Sequence, residues 1–112
     1  MHDAAGIERL LRNRLTRIED DQAATASERG PVMLDQSRIG RLSRMDALQV
    51  QAMAEAQERR RRAERQRTEA ALERLADGTW GLCTECGEAI AGARLDFDPT
   101  VALCIRCARE AG

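Results

Sequence analysis

Four cysteines, arranged as two C-x-x-C pairs, constrain this chain more than any other feature. Cys83-Thr84-Glu85-Cys86 is answered by Cys104-Ile105-Arg106-Cys107, with seventeen residues between Cys86 and Cys104. A C-x-x-C turn aims two thiolates at one point, and two such turns roughly 15–20 residues apart have the spacing of a tetrahedral four-sulfur zinc site. Four protein ligands leave no position for water, so the site is structural rather than catalytic. Gly87 follows the first pair and allows the left-handed backbone that such turns need. Two disulfides would require an oxidising compartment, and Met1-His2-Asp3-Ala4-Ala5 has no basic region followed by an apolar run, so no export signal is expected. A redox C-x-x-C belongs near a βαβ pattern, which is missing. One structural Zn2+ held by Cys83, Cys86, Cys104 and Cys107 is therefore expected. Redox sensing through the same thiols stays open.

The rest of the chain cannot form a conventional globular core. Aromatic residues make up 2% of it, Trp80 and Phe97 only. A metal and an elongated helix pairing must supply cohesion instead. Charged residues are 33% with a formal net charge of -1, which gives no reason for nonspecific nucleic-acid binding. All 18 basic residues are Arg. No apolar run approaches the length of a membrane span, and a cytoplasmic location is expected. His2, the single histidine, sits at the terminus and is not expected to bind metal.

Periodicity predicts a helix over 5–29, where Ile7, Leu10, Leu11, Leu15 and Ile18 recur at three- and four-residue steps. Gly30-Pro31 stops it. A connector over 30–42 follows, then one long helix over 43–76 without Gly or Pro, opened by Ser43 with Asp46 three residues on, in the manner of a capping box. Met45, Gln49, Ala52, Ala56, Arg59, Ala63, Gln66 and Ala70 make a heptad seam of mostly small residues on this helix. The short connector implies an antiparallel helical hairpin with its tip near residues 30–44, and Leu72 and Leu75 are expected to pack near the zinc module or the N-terminus. The Arg59-Arg60-Arg61-Arg62 run, continued by Arg65 and Arg67, points all around a helix, and Glu55, Glu58, Glu64 and Glu69 lie within reach of several of these arginines. It reads as a salt-bridged solvated surface, or as a contact patch for an acidic partner.

Residues 77–112 are expected to form the zinc module. Asp77-Gly78 caps the long helix. Thr79–Leu82 reads as a short strand into the first knuckle, Ile90–Leu95 as its return, and Cys104–Glu110 as a terminal helix. Trp80, Ile90, Leu95, Phe97, Val101 and Leu103 are the expected mini-core. The fold class is thus mainly α: a helical hairpin over 1–76, followed by a four-cysteine zinc finger.

The segment DGTWGLCTECGEAIAGARLDFDPTVALCIRCARE resembles the zinc finger of the DksA/TraR family through its D-G-x-aromatic-G-x-C entry, C-x-x-C-G knuckle, Ile90, Arg94-Leu95, Pro99 and C-I-x-C exit. The resemblance is strong over about 77–109; the hairpin agrees in architecture but less in sequence. It implies a bacterial, phage or plasmid factor that binds RNA polymerase directly, inserts a coiled-coil tip into the secondary channel, and alters promoter behaviour without binding promoter DNA. One departure is plain: the D-x-x-D-x-A motif that the best-studied members carry at the tip is absent. The tip here has only Asp35 and Asp46 as acids, accompanied by Arg38, Arg41 and Arg44, and these five are the candidate partner-binding residues.

Three functions follow as expectations. The first is a non-enzymatic transcription regulator that docks on RNA polymerase. The second is a general protein-interaction adaptor, favoured by the Arg-rich tip. The third is a nucleic-acid-binding finger using Arg94, Arg106 and Arg109, disfavoured by Glu85, Glu88, Asp96, Asp98 and Glu110 around them. No nucleophile–base pair, phosphate loop or pocket of paired acids points to catalysis or to a small-molecule substrate.

Overall fold

The computed structural model describes residues 3–28 and 41–112. Two long helices dominate, α1 (Ala4–Glu28) and α2 (Arg41–Asp77), followed by the short α3 (Gly92–Phe97) and α4 (Ile105–Ala111). The described residues span 60 × 31 × 19 Å. No helix among the described residues is long and apolar enough to cross a membrane.

Asp3 opens α1: its carboxylate accepts from the Gly6 amide at 3.3 Å, and its carbonyl accepts from Ile7 N at 2.9 Å. This satisfies donors that the first helical turn leaves unpaired. From there Ile7, Leu11, Leu15, Ile18, Gln22 and Thr25 turn inward at heptad steps, with Leu11 and Ile18 buried. Leu10, by contrast, is 46% exposed and faces out.

The partner stripe on α2 is not the one its periodicity singles out. Ala54, Glu58, Arg61, Arg65, Thr68, Leu72 and Leu75 line it, with Ala71 fully buried beside Thr68. Met45, Gln49, Ala52, Arg59, Ala63 and Gln66 are exposed, while Ala56 and Ala70 are half-buried. The physical reason is that alanines fit several registers equally, whereas the polar residues on the inner face find specific partners on α1. Gln22 Nε2 donates to Glu58 Oε1 at 3.2 Å, Arg65 Nη1 to Gln22 Oε1 at 3.2 Å, and Arg61 Nη1 to Thr25 Oγ1 at 3.1 Å. Arg65 also reaches Glu19 at 3.3 Å and Glu69 at 2.8 Å. The hairpin therefore has an apolar half, from Ile7 to Ile18, and a polar half beyond it. The basic run divides likewise: Arg61 and Arg62 lie against Glu58 at 3.9 and 4.0 Å, while Arg59 and Arg60 are solvated.

Helix α2 begins at Arg41 among the described residues, so Ser43 lies inside its first turn rather than ahead of it. Leu72 and Leu75 are half-buried beside Ala4, Ala5 and Glu8 at the start of α1. The exit from α2 is a glycine cap: Gly78 has φ +82°, and the amides of Thr79 and Trp80 return to Arg74 O at 2.9 and 3.1 Å.

Two expectations for the finger are corrected. Strand pairing among the described residues is one isolated antiparallel bridge, Leu82 with Ala89, and the anticipated return over Ile90–Leu95 instead enters helix α3. The module is too small for a sheet, and turning inward as a helix lets Leu95 bury against the cysteines. Phe97, expected in the mini-core, is 91% exposed. The core consists of Cys83, Ile90, Leu95 and Cys107, with Trp80, Val101 and Leu103 packed against it.

Candidate metal centre

The first knuckle is held by its own backbone. Cys83 N donates to Glu88 O at 2.8 Å and Gly87 N to Cys83 O at 2.9 Å, a turn that Gly87 closes with φ +76°. A side chain at φ > 0 costs roughly 1–2 kcal/mol, which is why glycine follows the second cysteine. Gly81, at φ +89°, gives the same freedom to the entry, and a Cβ there would sit 3.7 Å from Leu95 Cδ1. The second knuckle is the start of α4: Cys104 is its N-cap, and its sulfur accepts from Cys107 N at 3.4 Å. One bond, Thr84 N to Ala102 O at 2.9 Å, ties the two knuckles together.

These turns bring the four sulfurs of Cys83, Cys86, Cys104 and Cys107 within 4.8 Å of one another. Tetrahedral coordination with bonds of about 2.3 Å requires sulfur–sulfur edges of about 3.8 Å. Cys86 Sγ and Cys104 Sγ lie 3.8 Å apart. That separation fits a shared metal and is far too long for a disulfide bond, which needs about 2.05 Å. All four cysteines are free thiols.

The electrostatics carry the same requirement. Amide hydrogens directed at the Cys83 sulfur, from Cys104 and Cys86 first, lower its pKa to about 6. Cys107 is pushed up to about 12, chiefly by its hydrogen bond with Cys104 and then by burial. A cluster of thiols this close cannot ionise fully without a cation at its centre. A divalent metal supplies that charge and takes all four as thiolates.

The finger is fastened to the hairpin by one loop, and this is what sequence reasoning missed. Asp98, just after α3, accepts from Thr100 N at 3.0 Å and Thr100 Oγ1 at 2.7 Å. Arg14 on α1 reaches the same carboxylate oxygen at 3.4 Å. Arg74 on α2 donates to Thr100 O at 3.3 Å, and Trp80 Nε1 donates to Pro99 O at 2.9 Å. Arg94 Nε closes the far end on Leu103 O at 3.0 Å, next to Cys104. Burial alone would raise the Asp98 pKa, but the two Thr100 bonds and Arg14 outweigh it and hold the carboxyl below its usual value. The D-x-T pattern was a legible turn signal; its Arg14 partner, 84 residues away, was not.

Of the candidate partner-binding residues, Asp35 and Arg38 lie outside the described residues, as does the side chain of Arg41. Arg44 and Asp46 are exposed near the start of α2. His2 also falls outside the described residues.

With this geometry in view, the comparison with known proteins is specific. Residues 78–111 match the prokaryotic dksA/traR C4-type zinc finger. The C-terminal module is a dksA/traR-type zinc finger. The resemblance reaches beyond the finger: a solved structure of transcription factor DksA2 from Pseudomonas aeruginosa aligns over 96% of this chain and 81% of its own, at 28% identity and a TM-score of 0.68. An uncharacterized protein from Aquifex aeolicus is 45% identical over 40 residues, and the match spans 28% of that relative's length. The C4 finger with its four converging cysteines is built for one structural metal ion, and the DksA-like fold presents it beside a helical hairpin.

Proposed function

We propose that this chain is a non-enzymatic transcription regulator that binds RNA polymerase directly, through its secondary channel, rather than promoter DNA. The observation that carries the reading is the alignment of 96% of the chain, hairpin and finger together, with a transcription factor of the DksA type. A finger alone would support many roles. A finger fastened through Asp98 and Thr100 to an antiparallel hairpin supports a device that holds one end and extends the other. Zinc, bound by Cys83, Cys86, Cys104 and Cys107, fixes the base; the end of the hairpin, with Arg44 and Asp46 on α2 and Asp35, Arg38 and Arg41 before them, is the contacting part. Its action is cytoplasmic. The formal net charge of -1 favours a protein partner over nucleic acid.

Co-purification with RNA polymerase tests this. The intact chain should associate, and deletion of residues 34–44 should abolish the effect on transcription while zinc content is unchanged. Absence of association in pull-down and native gel refutes the reading. The adaptor reading rests on the missing acidic tip motif; under it, Asp46→Ala leaves transcription from sensitive promoters untouched.

A further inference from the structure

The heptad stripe on α2 from Met45 to Ala70 runs along the side away from α1. Its neighbours include the large apolar side chains Leu48, 65% exposed, and Met53, 64% exposed; Met45 itself is 63% exposed. Nothing among the described residues covers this face over most of its length. At its finger end the stripe meets a groove of about 320 Å³, whose lining includes Ala70, Val101, Leu103 and Ala108 together with Arg67 and Arg74. An exposed heptad face that leads into an apolar groove is an unused half of a helix pair.

We propose that this face of α2 pairs antiparallel with the same face of a second copy, about a two-fold axis. One register aligns the whole stripe and pairs opposite charges along its flanks, while the two Arg59 side chains at the centre must reach out to solvent. With Met45 opposite Ala70 of the second copy, Gln49 meets Gln66, Ala52 meets Ala63, and Ala56 meets Arg59. The flanking rows are then positions 46, 53, 60 and 67 on one side and 48, 55, 62 and 69 on the other. Asp46 meets Arg67 and Glu55 meets Arg62, each twice by symmetry. Met53 lies under the aliphatic stem of Arg60, and Leu48 under that of Glu69. Sliding the pair by one heptad in one direction sets Glu55 against Glu55. In the other direction it sets Arg60 against Arg60 and Glu55 against Glu69. Like charges thus exclude the second slide; the first keeps opposite charges at Asp46 and Arg60 but exchanges both Glu55–Arg62 pairs for a Glu55–Glu55 contact, which leaves the stated register ahead over the stripe. In the favoured register Met45 of each copy enters the groove beside Ala70 of the other, where an unbranched, flexible side chain suits an irregular apolar lining.

The strip from Met45 to Ala70 is about 38 Å long. Because its seam residues are small, the pair buries on the order of 1,000 Å² over both copies, the low end for a specific interface. The dimer forms at micromolar rather than nanomolar concentration. It covers Asp46 and the start of α2, so under the polymerase reading the dimer and the polymerase-bound chain are alternatives. The pairing itself does not depend on that reading.

Sedimentation velocity on the full zinc-loaded chain, over about 1–100 µM, is the test. A concentration-dependent passage from monomer to dimer is expected. Glu55→Arg and Arg62→Glu should each weaken it about tenfold, because each removes two symmetric pairs, and the double exchange should restore it. Ala52→Glu, on the exposed face and away from α1, should weaken it as well; circular dichroism checks that helix content is kept. A chain that stays monomeric over the whole range overturns the proposal. So does a dimer that is indifferent to Glu55→Arg and Ala52→Glu, or one that the double exchange fails to restore.

Discussion

Removing the Asp98 carboxylate separates two ways in which the finger can be held to the hairpin. In Asp98→Ala, two hydrogen bonds from Thr100 to a charged acceptor disappear, at 3.0 and 2.7 Å. Such bonds contribute roughly 1.5–3 kcal/mol each when dry. The Asp98 side chain is 41% exposed, so water replaces part of each, and a combined loss of about 2 kcal/mol is expected. The ion pair to Arg14 is a different matter. It is 3.4 Å long, with 33% and 41% side-chain exposure, and pairs of that kind are worth roughly 0–1 kcal/mol. Arg14→Met, which keeps the aliphatic stem, should therefore cost no more than about 0.5 kcal/mol, with a coupling energy to Asp98 of similar size. Urea unfolding at fixed zinc concentration measures all three. Trp80 fluorescence reports the finger, since its indole is bonded to Pro99 O beside Asp98, and far-UV circular dichroism reports the hairpin. An Arg14→Met variant as damaged as Asp98→Ala, or a coupling above about 1 kcal/mol, would refute the reasoning: the inter-element ion pair, not the local turn that presents Thr100 O to Arg74, would then be the fastening.

Leu11 is fully buried in the apolar half of the hairpin; Leu11→Ala should destabilise by about 2–4 kcal/mol in thermal or urea unfolding, whereas Phe97→Ser, at a side chain 91% exposed, should change stability by less than about 0.5 kcal/mol. Gly87→Ala meets no atom within 4 Å but keeps φ +76°, so it should cost about 1–2 kcal/mol of finger stability through backbone strain alone, measurable as weaker zinc retention against a chelator. Metal removal by chelator should unfold the finger while α1 and α2 retain most of their helix signal; full helicity and unchanged Trp80 emission after removal would contradict a folding role for the metal. Because the folded pKa of Asp98 is depressed, its contribution is fully present above the ordinary carboxylate value and is lost as pH falls through the folded value; stability should drop with acidification in that window, and Asp98→Ala should flatten the drop.

Much of the site was readable before any fold was known. Two C-x-x-C pairs at this spacing leave few geometries, and the sulfurs do converge within 4.8 Å. Gly78 and Gly87 occupy the left-handed positions their placement implied. Reading the short segment after Ile90 as a strand failed, because six residues carry too little periodicity to tell strand from helix, and the burial of Leu95 decided the matter. Phe97 shows the same limit: hydrophobicity marks a residue as able to be buried, not as buried.

The chain's sequence by itself determined that a metal would hold the C-terminal module, that two long helices would precede it, and that no large aromatic core would form. These follow from ligand chemistry, from helix periodicity and from composition, all of which are local. Only the tertiary structure decided which stripe of α2 faces α1, and that Asp98 and Thr100 join the finger to both helices. Those choices depend on contacts such as Gln22 with Glu58 and Arg14 with Asp98, between side chains far apart in the chain. Alanine and arginine tolerate either face of a helix, so the register came from which polar groups found a partner.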